Sequence, residues 1–420
     1  MTLTASQAEW LRVRSYLQEH RHALAVDAAG AYPAERRMAG TPLLAAPEWQ
    51  PAEPVPLHDI ELEFFPSAAP LPAPAGAPPT TSALPERPDG TRYRSYSDAL
   101  RDLAAPAVFE NRPTYRLTEA DLTKPRLAFT RGRYFDGVDT GEAAAHEYAA
   151  TRLGQPPADA PARIADPCDL TRRPANLAIT TLTLRFDAAT GRASFLMHWR
   201  DPAKVGHAGG MYQVIPVGIF QPSGDASWHE REDFSLWRCM LREFDEELRG
   251  TPEEYGAGPV DYQSWPFARH MAAALDRGQI RVWCLGLGVD PLTYATDLLT
   301  VAVIDSRVFD ELFRLDPRGN DEGSVLAARE FAAHVIDRVV TGDPVQAAGA
   351  AVLRLAWRHR DTLTVLPHRV TSSPGPGSGP PGAVPARRIG AGTGRPARRT
   401  SGPCGPAGGR SHPRPTRRRR

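Results

Sequence analysis

The sequence predicts an α/β fold built on a mixed sheet, and three observations carry that reading. β-rich runs recur from Leu177 onward, helical stretches are interleaved with them, and a strongly amphipathic acidic segment follows the third run. The 420 residues, 41% hydrophobic and 24% charged, suffice for two or three domains with a substantial core. The apolar stretch Leu298 to Ile304, broken only by Thr300, is far short of the roughly 20 residues a bilayer crossing needs. The stretch MTLTASQAEW carries no basic-then-apolar leader pattern, so a cytoplasmic protein is expected. Cys168, Cys239, Cys284 and Cys404 form no CxxC pair, which excludes a zinc ribbon and a disulfide framework and leaves reduced thiols.

Ser6 with Glu9 fits a capping box, and Trp10, Val13, Leu17 and Leu24 recur at helical spacing. Residues 6–24 therefore read as one helix, not a helix-turn-helix, within an N-terminal helical segment, 1–44. Residues 45–92, dense in Pro and Ala, read as an extended linker. Residues 93–168 read as a small, mostly helical region with helices at 96–104 and 140–153, closed by the break GQPPADAPARIADP. The main domain is expected at 170–345. LAITTLTLRFD and RASFLMHWR form a hairpin across Ala188–Gly191, and MYQVIPVGIF supplies a third strand. A helix follows from about Asp233 to Leu248, with Gly250 placed for a left-handed cap. Strands are expected at IRVWCLGLGV and LLTVAVID, and helices at 306–314, 324–340 and 345–359, the last belonging to a C-terminal helical segment at 345–361.

The net charge of +1 conceals an asymmetry. From Thr362 to Arg420 there are 12 Arg and no acidic residue, so the rest of the chain has 38 basic against 49 acidic side chains, a net of −11. Residues 371–420 cannot bury enough apolar surface to offset chain entropy and are expected to be disordered. Such a tail allows nonspecific phosphate contact with nucleic acid. It lacks the interleaved aromatics that stack on bases, which favours a passive extension.

The most informative stretch is Arg242-Glu243-Phe244-Asp245-Glu246-Glu247-Leu248-Arg249-Gly250. On a helix Glu243, Glu246 and Glu247 share one arc beside an apolar face made by Leu236, Trp237, Met240, Leu241, Phe244 and Leu248. Like charges at these spacings cost roughly 0.2–0.5 kcal/mol each in water. A cation bound through oxygen ligands, Mg²⁺ above all or Mn²⁺ in its place, would relieve them, and Arg242 can neutralise one acid instead.

REFDEELRG at 242–250 resembles the box of the Nudix family, GX5EX7REUXEEXGU, and the strand IPVGIF with Gly218 looks like the strand and glycine that open that box. The resemblance spans about residues 175–340. The loop after Gly218 is about ten residues longer than the motif's, Phe234 stands where its first Glu would be, and Thr251 stands at its final apolar position. The resemblance implies a Nudix-like α/β/α sandwich and attack of water on a nucleoside diphosphate linked to another moiety. Glu246 and Glu247 would be metal ligands, Glu243 a further ligand or water-orienting base, and Arg242 the group holding the acids in register. Gly218, Trp228 and Glu230 would contact substrate, and Glu230, Glu232 or Asp233 could replace the missing acid. Glu322 is a candidate late-arriving base. The implied partner is a nucleoside diphosphate derivative, with a homodimer left open and no membrane. The resemblance also admits a non-catalytic ligand sensor, because some bacterial transcriptional regulators carry such domains.

Other constellations are weaker. Glu142, His146 and Glu147 have a spacing that can share a metal, but no third ligand is identifiable and a structural role is favoured. Gly206-His207-Ala208-Gly209-Gly210 lacks the Lys-Ser/Thr of a P-loop and reads as a flexible turn. His229 lies in the loop before the acidic helix. Of Trp199, Trp228, Trp237, Trp265 and Trp283, only Trp228 lies where stacking on a base is expected.

Overall fold

The computed structural model describes residues 3–66, 83–106, 109–156, 164–200, 209–251, 258–313, 323–325 and 327–364. The expected disordered tail, Cys404, Glu322 and residues 206–208 lie outside these. No helix among the described residues is long and apolar enough to cross a membrane.

The chain opens with α1 (Ala5–Ala29), whose buried face includes Trp10, Val13, Leu17 and Leu24 as the spacing predicts. The capping box is Thr4 with Gln7, not Ser6 with Glu9; the Ser6 hydroxyl instead accepts the Glu86 N–H. Residues 45–66 are not a linker. Pro47–Trp49 forms a 3₁₀ turn that buries Trp49, β1 (Val55–Pro56) pairs with the central sheet, and β2 (Glu61–Phe65) belongs to a second sheet. Leu43, Leu44, Ala45 and Trp49 supply the apolar anchors that composition alone hid behind the prolines.

α2 (Tyr96–Ala104) falls where it was expected. Beyond it the region is not mostly helical. β3 (Pro113–Asp121) and β4 (Arg126–Arg133) form an antiparallel pair, and β2 joins β4 in parallel. A helical run follows: α3 (Tyr134–Gly137), a π turn (Val138–Glu142) and α4 (Ala143–Arg152).

β5 (Leu177–Asp187) begins the central sheet. β6 (Arg192–Phe195) and β7 (Met197–Arg200) split the second expected strand between two sheets, and β8 (Tyr212–Val214) and β9 (Val217–Ile219) split the third. Then come α5 (Ser227–Glu232), α6 (Leu236–Arg249), α7 (Pro266–Asp276), β10 (Ile280–Val289), β11 (Thr296–Asp305) and α8 (Ser306–Leu312). The expected helix at 324–340 begins only at α9 (Ala333–Gly342). Before it lie β12 (Gly323–Val325) and β13 (Arg329–Glu330), which pair with β7 and β6. α10 (Ala347–Arg358) and α11 (Arg360–Thr364) end the described chain.

The central sheet runs β1-β10-β11-β5-β6-β13, with β9 also pairing β5. It is mixed, because β11 and β5 are parallel and the other pairs antiparallel. β11 and β5 are buried at nearly every position, so both faces of the sheet are covered. Register assigns the layers. Gly288 pairs with Asp297, whose carboxylate accepts from the Thr180 hydroxyl, and a side chain at Gly288 would run into Leu43. The Met38–Trp49 segment therefore covers the face shared by Thr180 and Leu182, joined by α10 through Arg354, which donates to the Ala39 and Gly40 carbonyls. Ile179 and Arg185 point the other way. Ile179 pairs with Gly218, and Arg185 with Asp310 of α8. On that face α6, α7 and α8 meet at the rings of Phe244, Phe313 and Phe267. The result is a helix-covered α/β/α arrangement. Residues expected to form separate domains belong to one compact unit, Met1–His368.

Candidate functional site

The acidic helix forms for local reasons. The Ser235 hydroxyl accepts the Arg238 N–H at its start. At its end Gly250 takes φ 69°, and its N–H reaches the Glu246 carbonyl at 3.1 Å. Leu236, Met240, Leu241, Phe244 and Leu248 are buried, as the apolar arc requires.

The three acids on the neighbouring arc have different surroundings. Glu247 is buried and accepts the Val217 N–H at 3.1 Å, capping the backbone of a short strand whose pairing lies with β5. Glu243 lies directly on Gly218: a Cβ built there would overlap its carboxyl group, which would have to shift. Glu246 is half-buried. Asp245, the fourth acid of the segment, is buried and paired with Arg249. Among the described residues no three His, Cys, Asp or Glu side chains come together as a metal-ligand group. Glu243 and Glu247 both approach β9, at Gly218 and at Val217.

Arg242 is buried, and its guanidinium is fully engaged. Nη1 donates to the Tyr262 hydroxyl at 2.6 Å and lies 3.3 Å from Asp233 Oδ1, while Nη2 donates to the Gln221 carbonyl at 2.6 Å. Asp233 is fully buried. Tyr262 donates to Oδ1 at 2.8 Å, and the Ser223 N–H and hydroxyl donate to Oδ2 at 2.8 and 2.6 Å. Burial pushes the Asp233 carboxyl up, but Arg242 and the Ser223 donors outweigh it and hold it below the ordinary aspartate range. Burial pushes the Arg242 pKa down, but Cys239, Tyr262 and Asp233 outweigh it and raise it. Burial raises the Cys239 thiol to about 12, so it is not a nucleophile.

Arg242 thus pairs with Asp233. Of the candidates for the missing acid, Asp233 reaches it; Glu230 and Glu232 do not. The Glu230 carboxylate forms a bidentate pair with Arg131 at 2.6 and 2.7 Å. Glu232 pairs with Arg238. Trp228 is 42% exposed, on α5 in the lengthened loop. His229 is buried, its Nδ1 2.9 Å from the Ser223 hydroxyl and its ring over Gly224. Tyr262 and Ser223 carried no sequence signal, since their roles depend on contact with Asp233, which lies 29 and 10 residues away in sequence.

Glu142 is held by Arg14 and Arg21, the latter bidentate at 2.8 Å. His146 stacks on Trp10 and meets the Tyr96 hydroxyl. Burial, and then the charge of Arg14, lower its pKa to about 3. The pair therefore ties α4 to α1 and α2.

No protein-family model matches the chain, and no curated protein matches it. Among solved structures it is similar to a NUDIX hydrolase from Alicyclobacillus acidocaldarius, with a TM-score of 0.27 and 18% identity over 45% of this chain and 95% of that one. Similarity at that level assigns no family, and the α/β/α description rests on strand register and burial.

Proposed function

We propose that the chain is a Nudix-like binding protein for a nucleoside diphosphate-linked metabolite that holds its ligand without efficient turnover. The observation that carries this reading is the commitment of two of the three box-like acids to strand β9: Glu247 to the Val217 N–H and Glu243 against Gly218. Carboxylates used this way support the scaffold next to Gly218. Trp228 supplies an exposed indole in the loop leading to the acidic helix; stacking on a base contributes about 1–3 kcal/mol. A regulatory use would pass the binding signal to a partner or through the basic tail.

Titration calorimetry with a panel of nucleoside diphosphate sugars, with and without Mg²⁺ or Mn²⁺, tests the proposal alongside a phosphate-release assay. Binding without release is expected, weakened about tenfold or more in Trp228→Ala. Indifference to every nucleotide tried would end the binding reading. A pyrophosphohydrolase is the second reading, favoured by Glu243, Glu246 and Glu247 sharing one arc of α6. Metal-dependent release that Glu246→Gln abolishes would establish it in place of the first.

A further inference from the structure

We infer that the N-terminal sheet β2-β4-β3 is a strap that holds the lengthened loop on the acidic helix, so that opening the strap loosens Arg242 and its helix. This holds whichever ligand the site takes. Two adjacent residues make the junction. Asp233 turns toward Arg242 and Tyr262, while Phe234 turns toward the N-terminal sheet. The Phe234 ring lies 5.1 Å from Phe64 of β2, 5.0 Å from Tyr115 of β3, 5.6 Å from Phe129 of β4 and 5.6 Å from Phe220, which follows β9.

One turn earlier the strap is fastened a second time. Arg131 of β4 grips the Glu230 carboxylate with two hydrogen bonds, and the Tyr115 hydroxyl donates to the Glu230 carbonyl at 2.9 Å. The Asp233 N–H donates to the His229 carbonyl, which closes α5 beside that fastening. The far end of the loop is fixed as well, since the Tyr115 N–H donates to the Phe220 carbonyl at 3.1 Å. The loop reaches Arg242 at two points, the buried Asp233 carboxylate and the Gln221 carbonyl. A loop that swings away therefore leaves Arg242 buried without Asp233, which is costly, and the helix must shift to solvate it.

Hydrogen exchange on the full chain tests the strap. Arg131→Ala removes a half-exposed side chain, and Tyr115→Phe removes one hydroxyl and keeps the ring, so neither threatens the fold; Glu230→Gln repeats the first cut from the other side. In each, amide exchange should rise about tenfold through Gln221 to Asp233 and also in Cys239 to Phe244 of α6, as expected when a hydrogen bond closing the loop is lost. Arg126→Ala serves as the control, since Arg126 lies on the same strand and pairs with Glu63 away from the loop. It should leave α6 at the parent rate. Exchange that stays at the parent rate in Cys239 to Phe244 in the Arg131 and Tyr115 variants overturns the inference, as does an equal rise in Arg126→Ala.

Discussion

Asp233 shows how one side chain can organise a site that its neighbours in sequence do not announce. A fully buried carboxylate must be paired or protonated, and here Arg242, Tyr262 and Ser223 keep it charged. Asp233→Asn should destabilise the protein by about 3–5 kcal/mol, because the Arg242 guanidinium is left buried without its counter-charge; urea unfolding measures it. The folded-state pKa of Asp233 is depressed, so its contribution is complete above the ordinary aspartate range and disappears as the pH falls through the folded value. His146 behaves similarly at higher pH. It stays neutral in the fold down to about pH 3 but takes up a proton near 6.5 when unfolded, so its stabilisation is full above 6.5 and declines as the pH falls toward 3. His146→Gln should flatten the fall in stability between those values, read from denaturation midpoints across pH. Asp233 was one of three acids the sequence offered for the same role. Spacing could not choose among them, because the choice depends on where Tyr262 and Arg131 lie.

At the level of elements, α6 was legible almost residue by residue, since its apolar period, its acids and its terminal glycine are all local signals. The strand beneath it was not. IPVGIF reads as one run with its predecessor, yet β8 and β9 enter different sheets, a decision made by tertiary pairing. Where α6 crosses β9, the Glu243 carboxyl fills the space that a side chain at Gly218 would take. Gly218→Ala should therefore cost about 1–3 kcal/mol, the usual range for overpacking. Glu243→Ala in the same chain should restore most of it, and thermal melts of the two single variants and the double give the coupling. Additive losses would mean the carboxyl turns aside freely.

On the scale of the whole molecule, the N-terminal segments complete the main sheet rather than precede it. β1 covers the edge of β10, and Leu43, Leu44 and Trp49 fill the face that β5 and β11 would otherwise expose. A fragment limited to residues 170–364 should lose that layer and show no cooperative thermal transition, whereas residues 1–364 should melt as one unit; near-UV circular dichroism and a temperature scan distinguish them. The Pro/Ala-rich composition of 45–92 pointed to a linker because composition averages over a stretch in which a few large residues do the packing.

The sequence by itself determined the secondary elements with strong local period: α1, α2, α6, β5, β10 and β11, with the acids of α6 on a common arc. Those follow from 3.6- and 2-residue repeats and from end caps, which act within a few residues. Only the tertiary structure decided what the acids touch, that Asp233 serves Arg242, and that residues 45–66 and 113–133 build around the same core. Such contacts join different elements, some as far apart in sequence as Arg131 and Glu230, and no local repeat encodes a partner on another element.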